Sequence, residues 1–334
     1  MKRRSSLFLW LALLLGLVCF APFPSADAQA PMVTLRFATL APRGSAWHRV
    51  FTAWGNTLRT QTQNRLTIEV VPATPGDEPA LVRRVRAGEL DGACFTAIGL
   101  GQIARPVLVL QAPGVFDGYA GLDRARTRLD GELRGLFEQN GTVLMGWSDY
   151  GLARIFSTHA VARPSDLRTA HPWVPAEDPM FGEFLRLVGA TGVPLGIGEV
   201  MAGLNAGRVD TVVASATAAS ALQWHTRLTH VMQQSSAVLL GGTLMSKARF
   251  DALPPDLQQT LRATGLQAHE ALQRTVRRDD ERYYETLTTR HGLTPVDLTP
   301  HAAEWRQMAE QSRERLVGRV FPRDLLDRAL AASR

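Results

Sequence analysis

Cysteine is scarce. The 334 residues contain two, Cys19 and Cys94, which excludes a disulfide scaffold and a four-cysteine zinc site. Lysine is as scarce: of 37 basic side chains, two are lysines, Lys2 and Lys247, and the rest are arginines. No run of five bases and no basic-aromatic interleaving occurs, so the formal charge of +6 reads as a solvated, arginine-rich surface with no nucleic-acid partner. Long apolar runs are missing beyond the N-terminus, so no spanning helix is predicted there. Catalytic signatures are missing too. There is no Gly-x-Ser-x-Gly elbow, phosphate loop or His-Glu-x-x-His. His225 and His230 are five apart and do not share a helix face as a metal pair would. Gly196-Ile197-Gly198 is too short for a dinucleotide fingerprint. Glu177-Asp178 reads as a helix start, not an acid/base pair. The expectation is no enzyme, no metal and no cofactor.

What is present is an apolar content of 45% against 20% charged residues, the balance of a globular chain. Lys2, Arg3 and Arg4 precede an apolar stretch from Leu7 to Phe20 that is too short to span. Ala26-Asp27-Ala28 and Ala28-Gln29-Ala30 follow as small-x-small cleavage sites. Residues 1–30 therefore read as a signal peptide, and the mature protein is expected in the periplasm. Val18 is a poor residue before a lipidated cysteine, so Cys19 is not read as a lipid anchor. Cys94 reads as a small buried apolar residue.

From Val33 the pattern is β-α-β-α-β with short links. Val33–Ala38 alternates as a strand. Ser45 caps a helix with Trp47, Val50, Phe51, Trp54 and Leu58 on one face. Leu66–Val70 is a strand, Leu81–Ala87 a helix stopping at Gly88, and Gly92–Ala97 a strand. The second half repeats the grammar. Asp178 caps a helix with Pro179 at its first position, Gly189 ends it, Val193–Ile197 is a strand, Glu199–Ala206 a helix, and Val209–Val213 a strand. Ala87-Gly88-Glu89-Leu90-Asp91-Gly92 aligns without gaps with Ala206-Gly207-Arg208-Val209-Asp210-Thr211. Two similar α/β lobes point to a ligand cleft between them. Pro254–Arg290 reads as one long helix across both lobes, or two broken near Gly265, and Ala302–Leu316 as another.

Several segments in order resemble the periplasmic solute-binding subunits of tripartite ATP-independent (TRAP) transporters, the DctP-type family. They are Leu35–Ala38, Arg86–Asp91, Pro164–Arg168, Glu199–Asp210 and Leu253–Gln258. The resemblance implies a two-lobed α/β periplasmic binding protein with mixed, mostly parallel sheets and a long C-terminal helix crossing both lobes. Lobe 1 is expected to hold residues 31–150 plus about 239–279, and lobe 2 residues 151–238 plus about 280–334. It also implies hinge closure on a small-molecule ligand and delivery to membrane permease subunits.

The departures from that pattern bear on the ligand. In the family, a strand after Asp-Leu-Lys-Gly carries an Arg that grips a carboxylate with two parallel hydrogen bonds. Counting from Asp166 puts Trp173 there, a flat apolar wall with one donor. Ala214 falls where the family often has an Asn, and Met201 where an aromatic often follows Glu-Val. An apolar or amphipathic ligand is the expectation. Arg154 is the candidate for a compensating charge, which leaves open an organic acid held by Arg154. Phe95, Thr96 and Tyr150 lie at strand ends that face a cleft between lobes. A ligand sensor or lipid-handling protein with no permease is a third reading.

Overall fold

The computed structural model describes residues 32–72, 77–175 and 177–333. The expected signal peptide and the Cys19 reading lie outside the described residues. Among the described residues, no helix is long and apolar enough to cross a membrane.

The chain opens with β1 (Val33–Thr39), α1 (Ala46–Gln61), β2 (Leu66–Pro72), α2 (Glu78–Arg86), β3 (Gly92–Thr96) and α3 (Ala97–Ile103). The Ser45 hydroxyl accepts from His48 N at 3.3 Å and starts α1. Then come α4 (Tyr119–Gln139), the long β4 (Thr142–Ser157), the short β5 (Trp173–Val174), α5 (Pro179–Val188) and β6 (Val193–Pro194). The run α6 (Val200–Asn205), β7 (Thr211–Ala214), α7 (Ala216–Ala221), β8 (His230–Met232) and β9 (Ala237–Ser246) follows. The tail is α8 (Lys247–Asp251), α9 (Pro255–Thr289), β10 (Thr294–Val296), α10 (Ala302–Leu316) and α11 (Arg323–Ser333).

The sheet is mixed. β1 pairs in parallel with β2 and β3, while β3 and β4 both run antiparallel to β9. β4 joins the two halves. Its residues from Thr142 to Ala153 pair with β9, and its end, Arg154 to Ser157, pairs with β7 and β8. The register slips between Asp149 and Leu152, where Gly151 sits at φ +104°. A side chain resists that conformation, and a Cβ at Gly151 would lie 2.6 Å from Asp280 and Ser215. The strand thus passes from pairing with β9 to pairing with β7 and β8 beyond a glycine wedged against α9.

The six-residue echo is a repeated corner. Gly88 and Gly207 both adopt positive φ, +74° and +67°. Asp91 N donates to Arg36 O while Asp91 Oδ2 accepts from Arg36 N. Asp210 N donates to His171 O while Asp210 Oδ1 accepts from His171 N. Each Asp ties the corner to the preceding strand or loop through a main-chain and a side-chain bond. That reciprocity requires a short acceptor at this position in both lobes.

α9 is one unbroken helix. Gly265 is a contact point, not a break: a Cβ there would sit 3.0 Å from Trp54 and 3.2 Å from Met145 O. Trp54 Nε1 donates to Thr264 Oγ1 at 2.9 Å. Leu257, Leu261, Leu272 and Val276 enter the apolar core around α1, and Leu287 enters the core of the other half. Leu316, Phe321, Leu325 and Leu326 return to the first half, sharing a core with Leu122, Leu129 and Leu133 of α4. The last helix therefore departs from the expected lobe 2 assignment of residues 280–334. Its leucines find their apolar partners on α4, not among the lobe 2 strands.

Candidate functional site

A cavity of about 1490 Å³ opens between the two halves of the sheet. On the first side stand Trp47 of α1, Glu78 of α2, Thr96 at the β3–α3 corner and Tyr150 of β4. On the second side stand Trp173 of β5, Val213 and Ala214 of β7, Trp224, and Phe184 of α5, with Trp305 of α10 beside them.

The aromatic wall is held in place by its own polar atoms. Trp173 is 8% exposed, and its Nε1 donates to Leu195 O at 2.8 Å. The ring meets Trp224 edge-on at 5.3 Å. With its one donor committed, Trp173 offers the cavity only apolar surface. Trp305 Nε1 is likewise committed, to Ala162 O at 2.8 Å, and its ring stacks on Phe184 at 5.9 Å. Across the cleft, Trp47 stacks on Tyr150 at 4.7 Å and 16°. The Tyr150 hydroxyl lies 3.3 Å from Cys94 Sγ.

Glu78 is the most buried charged side chain among the described lining residues, 6% exposed. Its carboxyl accepts from Thr96 N at 2.8 Å, Thr96 Oγ1 at 3.0 Å and Gly99 N at 2.6 Å. Burial pushes it up to about 7 against those three bonds, which favour the ionised form. Thr96 also caps α3 through its Oγ1.

Of the residues singled out in the sequence, Trp173, Ala214, Thr96 and Tyr150 line the cavity. Arg154, Met201 and Phe95 are not among its described lining residues. Phe95 is fully buried and covers Gly99, where a Cβ would come within 2.3 Å of the ring. Met201 packs on the apolar core of the second half. Arg154 is 5% exposed. Its neighbours Ala153 and Ile155 line the cavity, and strand alternation sends Arg154 the other way. Its guanidinium sits over the Tyr284 ring at 4.3 Å. Its Nε and Nη1 have no hydrogen-bond partner among the described residues. The sequence reading missed Glu78, which lies in the link between the Leu66–Val70 strand and the Leu81–Ala87 helix, and it read Trp47 as helix packing. Trp224 and Trp305 carried no local signal, since tertiary folding alone brings them to the cleft. Among the described residues, no group of His, Cys, Asp and Glu is arranged to hold a metal ion.

Two α/β lobes around a deep, largely apolar cleft with aromatic walls define a ligand-binding protein. The sequence profile of the DctP family, described as bacterial extracellular solute-binding protein family 7, matches residues 37–317, and the chain belongs to that family. A solute-binding protein of Roseobacter denitrificans is 26% identical over 200 residues, 59% of this chain and 61% of that protein. The match thus spans less than two thirds of that relative. The 2,3-diketo-L-gulonate-binding periplasmic protein of Escherichia coli is 25% identical over 266 residues, 76% of this chain and 78% of its own. In fold, the chain is similar to a TRAP periplasmic solute-binding protein of Shewanella oneidensis solved with bound succinate. There the TM-score is 0.84 at 15% identity, covering 91% of this chain and 100% of the other.

Proposed function

We propose that this chain is the periplasmic receptor of a TRAP-type transporter. It closes about a hinge on a small ligand and presents the closed form to membrane permease subunits. The ligand stabilises the closed form through its greater affinity for it. We assign lobe 1 residues 31–150 and about 239–279, with α11 added, and lobe 2 residues 151–238 and about 280 to the end of α10. The slip in β4 at Gly151 and the passage of α9 through both cores support these borders.

We further propose that the ligand is apolar or amphipathic. One observation carries this: Trp173 lines the cleft with its only donor already bound to Leu195 O. Met201 and Phe95 then act behind the wall, while Trp173, Ala214, Thr96 and Tyr150 meet the ligand. A second reading keeps an organic acid, as the succinate-bound relative has. In that case the acid is held by rim arginines such as Arg43 or Arg105, because Arg154 points away from the cleft. Thermal-shift screening separates the two. Apolar and amphipathic compounds are expected to raise the melting temperature, and C4 acids, keto acids and sialic acid to leave it unchanged. Stabilisation by the acids alone at micromolar levels would sink the apolar reading. Native mass spectrometry of protein purified from its own periplasm would identify a tightly held ligand.

A further inference from the structure

We infer that the cleft selects amphipathic cations: a protonated amine set against Glu78, with an apolar body along the aromatic wall. This rests on the apolar-ligand reading above and narrows it.

The charge of the lining runs against that of the chain. Overall the sequence is basic, +6. Among the described lining residues the acids are Asp77, Glu78, Asp117, Glu177, Asp178 and Glu310, and the bases are Arg43, Arg105, Arg306 and Arg313. Position sharpens the contrast. Arg43, Arg105 and Arg306 are exposed. Arg313 is half-buried, with its Nη1 donating to Pro113 O at 2.7 Å. The nearly buried charge is an acid, Glu78, and no ion-pair partner appears for it among the described residues. Three donors converge on its two oxygens. A carboxylate has about four lone-pair sites, so one is left for a ligand.

The surroundings suit a cation with an apolar body. Aromatic faces attract ammonium groups through their ring quadrupole, and the stacked Trp47–Tyr150 pair lines the same side of the cleft as Glu78. The titratable groups acting on Glu78 are its neighbour Asp77, with Cys94 of β3 and Tyr150 of β4. None is a cation. Burial holds the Cys94 thiol at about 11 and the Tyr150 phenol well above its ordinary value, so both stay neutral between pH 5 and 8. An anion entering here meets a carboxyl group and no buried guanidinium. An ammonium stabilises the ionised Glu78, so at pH 6 its binding releases a proton to solvent.

The test uses the wild-type protein and two isosteric triplets. One is tryptamine, 3-propylindole and indole-3-propionate; the other is octylamine, octanol and octanoate. Isothermal titration at pH 6 in buffers of different ionisation heat gives affinity and proton release. The expected result is an amine at least about tenfold tighter than its neutral partner, an acid with no measurable binding, and net proton release with the amine alone. Glu78→Gln should bring amine and neutral compound to equal affinity. Should that variant not fold, the wild-type triplets decide alone. Neutral compounds binding as well as the amines would overturn the cation assignment and leave the apolar-ligand reading standing. Binding of the acids alone, or of none of the six, would overturn both.

Discussion

Asp280 of α9 ties that helix to β4 and α7, and replacing it by Asn should destabilise the protein. The side chain is 1% exposed. It accepts from Leu152 N at 3.0 Å, just past the slip in β4, and from Thr217 N at 3.0 Å and Thr217 Oγ1 at 3.1 Å on α7. Burial pushes the Asp280 carboxyl above its ordinary value, while its hydrogen bonds and the charge of the buried Arg154 pull it back. Asn keeps the size but offers one acceptor oxygen, so it holds Leu152 or Thr217 and not both. Hydrogen bonds to a charged acceptor contribute roughly 1.5–3 kcal/mol each and do not add. One of these bonds survives in Asn, so the expected loss for Asp280→Asn is about 1.5–3 kcal/mol. Urea denaturation followed by tryptophan fluorescence and by circular dichroism measures it. Arg154→Met serves as the second arm. Alone it loses the Tyr284 contact, worth about 0.5–2 kcal/mol, and removes the unpartnered Nε and Nη1 donors. In the Asp280→Asn background it should instead recover at least about 1 kcal/mol, because no stranded guanidinium remains. Contacting residues couple, while independent ones add within about 0.5 kcal/mol. An additive cycle would refute the electrostatic part of the reasoning. A loss below about 1 kcal/mol for Asp280→Asn would refute the role of Asp280 altogether.

Gly151→Ala should cost at least about 2 kcal/mol, since φ +104° strains any side chain and the new Cβ meets Asp280 and Ser215; a near-neutral midpoint in urea would show that the crossing is not constrained there. Trp173→Phe should cost about 1.5–3 kcal/mol, because Leu195 O loses its donor in a buried site. It should weaken an apolar ligand modestly while leaving acids unbound, and a variant as stable as wild type in calorimetry would argue against the packing described. For Glu78 the sign is set by burial. Its folded value, about 7, lies above the ordinary 4.5, so its contribution to stability is present below pH 4.5 and is lost as pH rises through 7. At about 1.4 kcal/mol per pH unit, the wild-type protein should lose about 3 kcal/mol over that window relative to Glu78→Gln. A stability gap between the two proteins that stays flat from pH 5 to 8 would contradict this.

How much of this was legible beforehand depended on what kind of signal each element carries. The corners at Gly88 and Gly207 were visible because a left-handed turn demands glycine and the reciprocal bonds demand Asp, both of which are one-letter signals. β4 and β9 were not read, since both are buried on nearly every residue. A strand covered on both faces does not alternate. α11 was invisible as a return to lobe 1, because its leucines say that it packs and not on what. The cleft divides the same way. Trp173 was found by counting from Asp166 through a short turn that keeps register, and the structure puts it in the wall. Arg154 was named as a compensating charge with no strand read to place it on, and its position on β4 could not be counted. Which face a strand residue occupies is a parity, and the slip between Asp149 and Leu152 resets it. Ala153 takes the cleft and Arg154 the back of the sheet. A single extra residue on β4 near Gly151 therefore decides whether Ala153 or Arg154 stands among the lining residues.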